Sequence, residues 1–259
     1  MSWPRQKQPR QPDKDFSPRG QLSGDSRPIG IFPNMLKQPK LILIDVDGTL
    51  VDSVPDLAFC VDAMMRELEL PEHGEGKVRE WVGNGVERLV RRALIGKLEG
   101  EPDDVLFRRA YPLFLDCYAH NTSARSTLYP GVREGLDQLR AREYVLGSVT
   151  NKAGQFTVPL LKDLGIYDDF AVVVAGDTLD KRKPDPEPLL YAAEQMGVSP
   201  ANCLMVGDSV NDIKAARAAG FQVVCVPYGY NHGNDIREGN PDAVIDSLAH
   251  LDTLLQKAA

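Results

Sequence analysis

The feature that most narrows the possible folds is a set of short apolar runs that do not alternate with polar residues. The run at 40–44, Lys40-Leu41-Ile42-Leu43-Ile44, stops at Asp45. Similar runs lie at 144–149, 170–175, 203–206 and 223–226, with a weaker one at 243–245. A strand that is apolar at every position is buried on both faces, and that is the habit of parallel sheets covered by helices. Helical spacing fills most of the intervals. Val132, Leu136 and Leu139 share a face over 131–142, and Phe156, Leu160, Leu161 and Leu164 share one over 153–165. Segments 186–196, 209–219 and 247–257 behave likewise. Strands alternating with helices predict an α/β protein built on a doubly wound, Rossmann-like parallel sheet.

The interval 56–129 breaks the alternation. Leu57, Val61, Met64 and Leu68 recur at helical spacing, then Val86, Leu89, Val90, Ala93 and Leu94, then Leu106, Ala110, Leu113, Phe114 and Cys117. No strand pattern interrupts them. So much helix is too long for a crossover and long enough for a small domain. The expected organisation is an α/β core at 39–55 and 130–259 with an inserted all-helical cap at 56–129. The insertion follows the C-terminal end of the first strand, the edge where open α/β sheets bind ligands.

Charge divides the chain again. The total is −7, yet residues 1–38 hold seven Lys/Arg against three Asp, a net of +4, which leaves −11 for 39–259. The same stretch holds six of the 19 prolines. Such a segment cannot bury enough apolar surface to offset its ordering entropy, so 1–38 is expected to be a disordered leader, or an extension upstream of a start at Met35. It has no apolar central stretch for a secretory signal, and its prolines and aspartates oppose a transit peptide. No run reaches the length of a membrane span, and the acidic balance gives no support to nucleic-acid binding. Cys60, Cys117, Cys203 and Cys225 form no CxxC pair and read as core residues in a reducing, cytoplasmic compartment, not as disulfides or zinc ligands. His73, His120, His232 and His250 lack metal-ligand spacing, so they are assigned no role.

Four strand ends carry chemistry. They are Asp45-Val46-Asp47-Gly48-Thr49-Leu50, then Ser148-Val149-Thr150-Asn151-Lys152, then Lys181-Arg182-Lys183-Pro184, and then Gly207-Asp208-Ser209-Val210-Asn211-Asp212. A parallel sheet places all these ends on one edge. Asp45, Asp47, Asp208 and Asp212 then gather negative charge, and two charges about 4 Å apart repel by roughly 4 kcal/mol at an effective dielectric near 20. One lysine does not cancel that. A hard divalent cation does, and Mg²⁺ suits a few carboxylates plus a substrate phosphate. Lys183, the Thr150 hydroxyl and the Asn151 amide are donors for phosphate oxygens. One carboxylate can act as nucleophile and a second as proton donor and acceptor. This kit fits transfer of a phosphoryl group from a monoester to water.

These ordered motifs resemble the haloacid dehalogenase superfamily over about 39–250. Within it the chain is most similar to phosphoglycolate phosphatases with a helical cap after the first motif, through the string 45–57, Trp81-Val82-Gly83-Asn84-Gly85, Thr150-Asn151-Lys152, Gly176-Asp177-Thr178 and Arg182-Lys183-Pro184-Asp185-Pro186. The resemblance implies that Asp45 attacks phosphorus and that Asp47 serves as general acid, then base. It implies Mg²⁺ on Asp45, Asp208 and the Asp47 carbonyl, with Asp212 either a direct ligand or behind one. Gly48, Thr49, Thr150, Asn151 and Lys183 are implied at the phosphate, and the presence of Asp47 favours phosphoryl chemistry over dehalogenation.

The implied activity is hydrolysis of small phosphomonoesters, 2-phosphoglycolate first, by a monomer or homodimer that meets neither nucleic acid nor membrane. A sugar phosphatase, an amino-sugar phosphatase, a phosphomutase on the same core and a non-catalytic binding protein stay open. Backbone N–H groups of Gly83, Asn84 and Gly85 suit the substrate carboxylate, although a Gly C-cap followed by an Asn N-cap explains the same string. One of Arg88, Arg91 and Arg92 is a candidate to reach substrate. Thr150 doubles as a candidate helix N-cap, Asp52 and Asp56 read as caps, and Trp81 and Tyr129 as packing residues.

Overall fold

The computed structural model describes residues 36–256. Its six-stranded sheet comprises β1 (Leu41–Ile44), β4 (Val145–Val149), β5 (Val172–Val174), β6 (Cys203–Gly207), β7 (Gln222–Cys225) and β8 (Ala243–Val244). Their order is β5-β4-β1-β6-β7-β8, and every pairing is parallel. The chain works outward on one side of β1, then returns to β6 on the other. That reversal opens a crevice beside β1 and β6, at their carboxyl ends.

The unalternating runs follow from burial on both faces. In β1, Ile42 and Ile44 pack with α5 (Val132–Ala141), α6 (Gly154–Asp163) and α9 (Leu251–Gln256), through Val132, Leu136, Leu139, Leu160, Leu161, Leu251 and Leu255. Leu41 and Leu43 face the opposite layer, made by α7 (Glu187–Gln195) and α8 (Val210–Ala219) through Leu189, Ala192, Ile213, Ala215 and Ala216. All four β1 side chains are fully buried. The expected α/β class and strand positions hold, with ends moved by a residue or two.

Between the first and second core strands stand α1 (Val54–Glu67), α2 (Gly74–Trp81), α3 (Val86–Ile95) and α4 (Asp104–Ala119). They bury Leu57, Val61, Met64, Val78, Trp81, Leu89, Val90, Phe114 and Tyr118 together. This cluster also takes in Phe156 of α6 and Tyr230, so helices and core share packing. A short antiparallel pair that the helical reading of 56–129 did not foresee closes the insertion: β2 (Val51–Asp52) aligns Val51 with Leu128 and Asp52 with Thr127 in β3 (Thr127–Leu128). Two residues per strand leave no periodicity to detect.

Asp52 and Asp56 are not caps. Ser53 occupies the N-cap of α1 without a side-chain bond. Asp52 pairs with Arg79 at 3.0 Å and accepts from the Tyr230 hydroxyl at 2.6 Å. Asp56, fully buried, accepts from the N–H groups of Arg125 and Ser126 and from the Ser126 hydroxyl. It therefore ties the entrance of the insertion to its exit.

The leader expected over 1–38 falls outside the described residues for 1–35. Its last residues are corrected, because Leu36 is buried in the main core and the Lys37 backbone exchanges two hydrogen bonds with the Gln222 amide. The four cysteines are free as expected, and Cys60 and Cys117 meet with their sulfurs 3.0 Å apart between α1 and α4. Among the described residues no helix is long and apolar enough to cross a membrane.

Candidate active site

After β1 the chain turns tightly on one carbonyl. The N–H groups of Leu50 and Val51 both donate to Val46 O at 2.9 Å, and Gly48 N donates to Val51 O. The turn sets Asp45 and Asp47 into one cavity with Thr150, Asn151, Lys152, Lys183 and Asp208. Four separate strand ends supply these side chains, as the topology requires.

Lys183 is the pivot. Its buried ammonium donates to Asp212 Oδ1 at 2.7 Å and Val149 O at 2.7 Å, and lies 3.0 Å from Asp45 Oδ1. The two carboxylates hold it cationic against burial, raising its pKa. Asp45 also accepts from Val46 N at 2.8 Å. Burial pushes its carboxyl up to about 7, with Lys183 opposing and Asp212 adding to the rise. Asp208 is pushed well above the usual carboxylate range, first by burial and then by Asp212 and Asp45. Asp45, Asp208 and Asp212 each bring one oxygen to within 4.8 Å of the others. The fold thus confines more negative charge than one ammonium neutralises, and oxygen-only donors with excess charge fit a small hard divalent cation.

Asp212 stands behind the cavity. Its Oδ2 accepts from Ser209 N and Ser209 Oγ in a capping box at the start of α8, while Oδ1 holds Lys183. Its two oxygens are thus shared between the start of α8 and the Lys183 ammonium.

Gly48 and Thr49, implied at the phosphate, do not line the cavity. The Thr49 hydroxyl donates to Asp208 Oδ1 at 2.8 Å, and Gly48 leaves room for the Asp208 carboxylate. Thr150 does line it, with its oxygen accepting from Lys152 N at 3.2 Å and its proton left to donate. Thr150 is no helix cap, since Ala153 precedes α6. The Asn151 amide donates to Lys183 O at 2.8 Å, so it steadies the lysine's loop.

The opposite wall comes from the insertion. Gly83, Asn84 and Gly85 line the cavity with Leu57, Val82, Val86 and Leu89. All three loop residues have positive φ, with Gly83 following the C-cap Val82 of α2 and Gly85, not Asn84, standing at the N-cap of α3. Arg92 fastens this loop from behind, donating to Trp81 O at 2.7 Å, Gly83 O at 3.2 Å and Asn84 Oδ1 at 3.3 Å. Arg88 and Arg91 point away to Glu99, Glu101 and Glu87. None of the three lines this cavity.

Five further residues line the cavity: Lys152, Ser209 and Asn211, which stand in the strand-end strings without an assigned role, His232, which was assigned none, and Tyr230, which the sequence reading did not single out. His232 Nδ1 lies 3.0 Å from Glu80 O, with its ring against Gly83. Tyr230 N donates to Asp208 Oδ2 at 2.5 Å. Both follow β7, a fifth strand end on the same edge, and that position was the available signal.

The profile of the haloacid dehalogenase-like hydrolases matches residues 39–220. The chain belongs to that family. This hydrolase is 62% identical over 225 residues to the phosphoglycolate phosphatase of Nitrosococcus oceani, which covers 87% of this chain and 100% of the relative. It is 49% identical over 220 residues to that of Nitrosospira multiformis, covering 85% of this chain and 97% of the relative. The crystal structure of a predicted phosphoglycolate phosphatase from Haemophilus somnus superposes on the hydrolase with a TM-score of 0.79 at 38% identity, covering 85% of this chain and 99% of that one.

Proposed function

We propose that this hydrolase is a Mg²⁺-dependent phosphatase acting on 2-phosphoglycolate, releasing glycolate and phosphate. The observation that carries the proposal is the meeting of Asp45, Asp47, Lys183 and Asp208 in one cavity whose far wall is the Gly83-Asn84-Gly85 loop. Relatives named for this activity support the choice of substrate.

Asp45 attacks phosphorus through one carboxylate oxygen and becomes the aspartyl phosphate. Lys183, 3.0 Å away, balances charge between nucleophile and phosphate. The Thr150 hydroxyl donates to a phosphoryl oxygen. Asp47 gives a proton to the leaving alcohol oxygen, then takes one from the water that attacks phosphorus and frees Asp45. Asp45 and Asp208, with the Asp47 carbonyl, are the groups to hold Mg²⁺, and Asp212 orients Lys183 behind them. The cation supplies neutralisation of phosphate and carboxylate charge. The helical insertion acts as a cap, excluding bulk water, and the N–H groups of its glycine loop at the start of α3 receive the substrate carboxylate.

Purified protein with Mg²⁺ is expected to release phosphate from 2-phosphoglycolate with a higher kcat/KM than from sugar phosphates, and Asp45→Asn is expected to release none. Absence of phosphate release by the wild type across both substrate groups overturns the proposal.

A further inference from the structure

Lys152 lines the cavity, yet its ammonium is already held by two side chains. It faces the Asp47 carboxylate symmetrically, with the two oxygens at 3.2 and 3.3 Å, and it also meets the hydroxyl of Tyr118. The Lys152 main chain is equally committed, its carbonyl accepting from Gly176 N at 2.8 Å and from Thr157 Oγ1 at 3.1 Å. The lysine root is therefore fixed to the core, while its tip is held by a residue of α4. Tyr118 is fully buried, and its ring packs on Phe114 and on Phe156 of α6, with centroids 5.5 and 4.8 Å apart.

We propose that Tyr118 and Lys152 are positioning residues through which the helical insertion orients the Asp47 carboxyl for proton transfer to the leaving oxygen. The inference rests on the role given to Asp47 above. As the P–O bond to the alcohol breaks and the Asp45–phosphorus bond forms, the proton passes from Asp47 to the alcohol oxygen. A carboxylate is left facing Lys152, and the fixed ammonium stabilises it without reorganising. Tyr118, carried by α4, supplies the further acceptor that fixes the ammonium in that direction.

The test uses leaving groups. The glycolate alkoxide needs a proton from Asp47, whereas the phenolate released from p-nitrophenyl phosphate does not. Wild type, Tyr118→Phe and Asp47→Asn are compared on both esters by kcat/KM, which reports the steps through bond cleavage. Tyr118→Phe keeps the ring and removes the hydroxyl. It is expected to lower kcat/KM on phosphoglycolate roughly tenfold, with a several-fold smaller loss on the aryl ester. Asp47→Asn shows the same selectivity more strongly. Equal losses on the two esters in Tyr118→Phe, with selectivity retained in Asp47→Asn, overturn the positioning role and leave the acid role intact. Absence of selectivity in Asp47→Asn overturns the acid role and the inference with it. If Tyr118→Phe fails to fold, Lys152→Met carries the same comparison.

Discussion

Gly48 has no space for a side chain. A Cβ there would lie 2.3 Å from Asp208 Oδ2, and φ is +85°. Gly48→Ala is expected to displace Asp208 and abolish phosphate release, measured by turnover under saturating Mg²⁺. Lys183 is the other residue on which the cluster depends. Lys183→Ala removes a charged donor from a water-poor site, and kcat is expected to fall by a factor on the order of 10²–10³. It also strands Asp212, which is 0% exposed, and breaking a buried pair from one side costs about 3–5 kcal/mol. Urea unfolding reads that second effect separately from turnover.

At the scale of elements, the insertion depends on its two connections. Asp56 accepts two backbone N–H groups and a hydroxyl across the base of the insertion, next to the β2–β3 pair. Asp56→Ala leaves those donors without their acceptor in a buried place, at an expected cost of about 2–4 kcal/mol by denaturant titration. Asp56→Asn retains an acceptor and loses less. The sequence places a carboxylate at 56 just inside a helix, where capping is the ordinary reading. Its partners are 69 and 70 residues away, and no local pattern announces them.

For the whole molecule, excess carboxylate charge is held at the crevice where the strand order reverses, between two fully packed faces. A cation that binds only the folded arrangement stabilises it by about 2.7 kcal/mol at roughly hundredfold excess over Kd. Mg²⁺ is therefore expected to raise the thermal midpoint of the wild type by several degrees. In Asp208→Asn, which loses one of the two carboxylate ligands assigned to the cation, that response is expected to vanish. Differential scanning calorimetry with and without Mg²⁺ checks both outcomes.

The sequence by itself determined the α/β class, the strand positions, the helical insertion and the edge on which Asp45, Asp47, Thr150, Lys183 and Asp208 meet. Those properties are written in local periodicity, and a parallel sheet converts strand ends into neighbours. Only the tertiary structure decided which oxygen each group faces. It turned Thr49 onto Asp208, spent the Asn151 amide on the Lys183 loop and took Arg88, Arg91 and Arg92 out of the cavity. It also brought Tyr118 to Lys152, and His232 to Gly83. Such contacts join residues far apart in the chain through packing of layers, and the energy selecting them lies in burial and in completing buried hydrogen bonds, neither of which leaves a periodic trace.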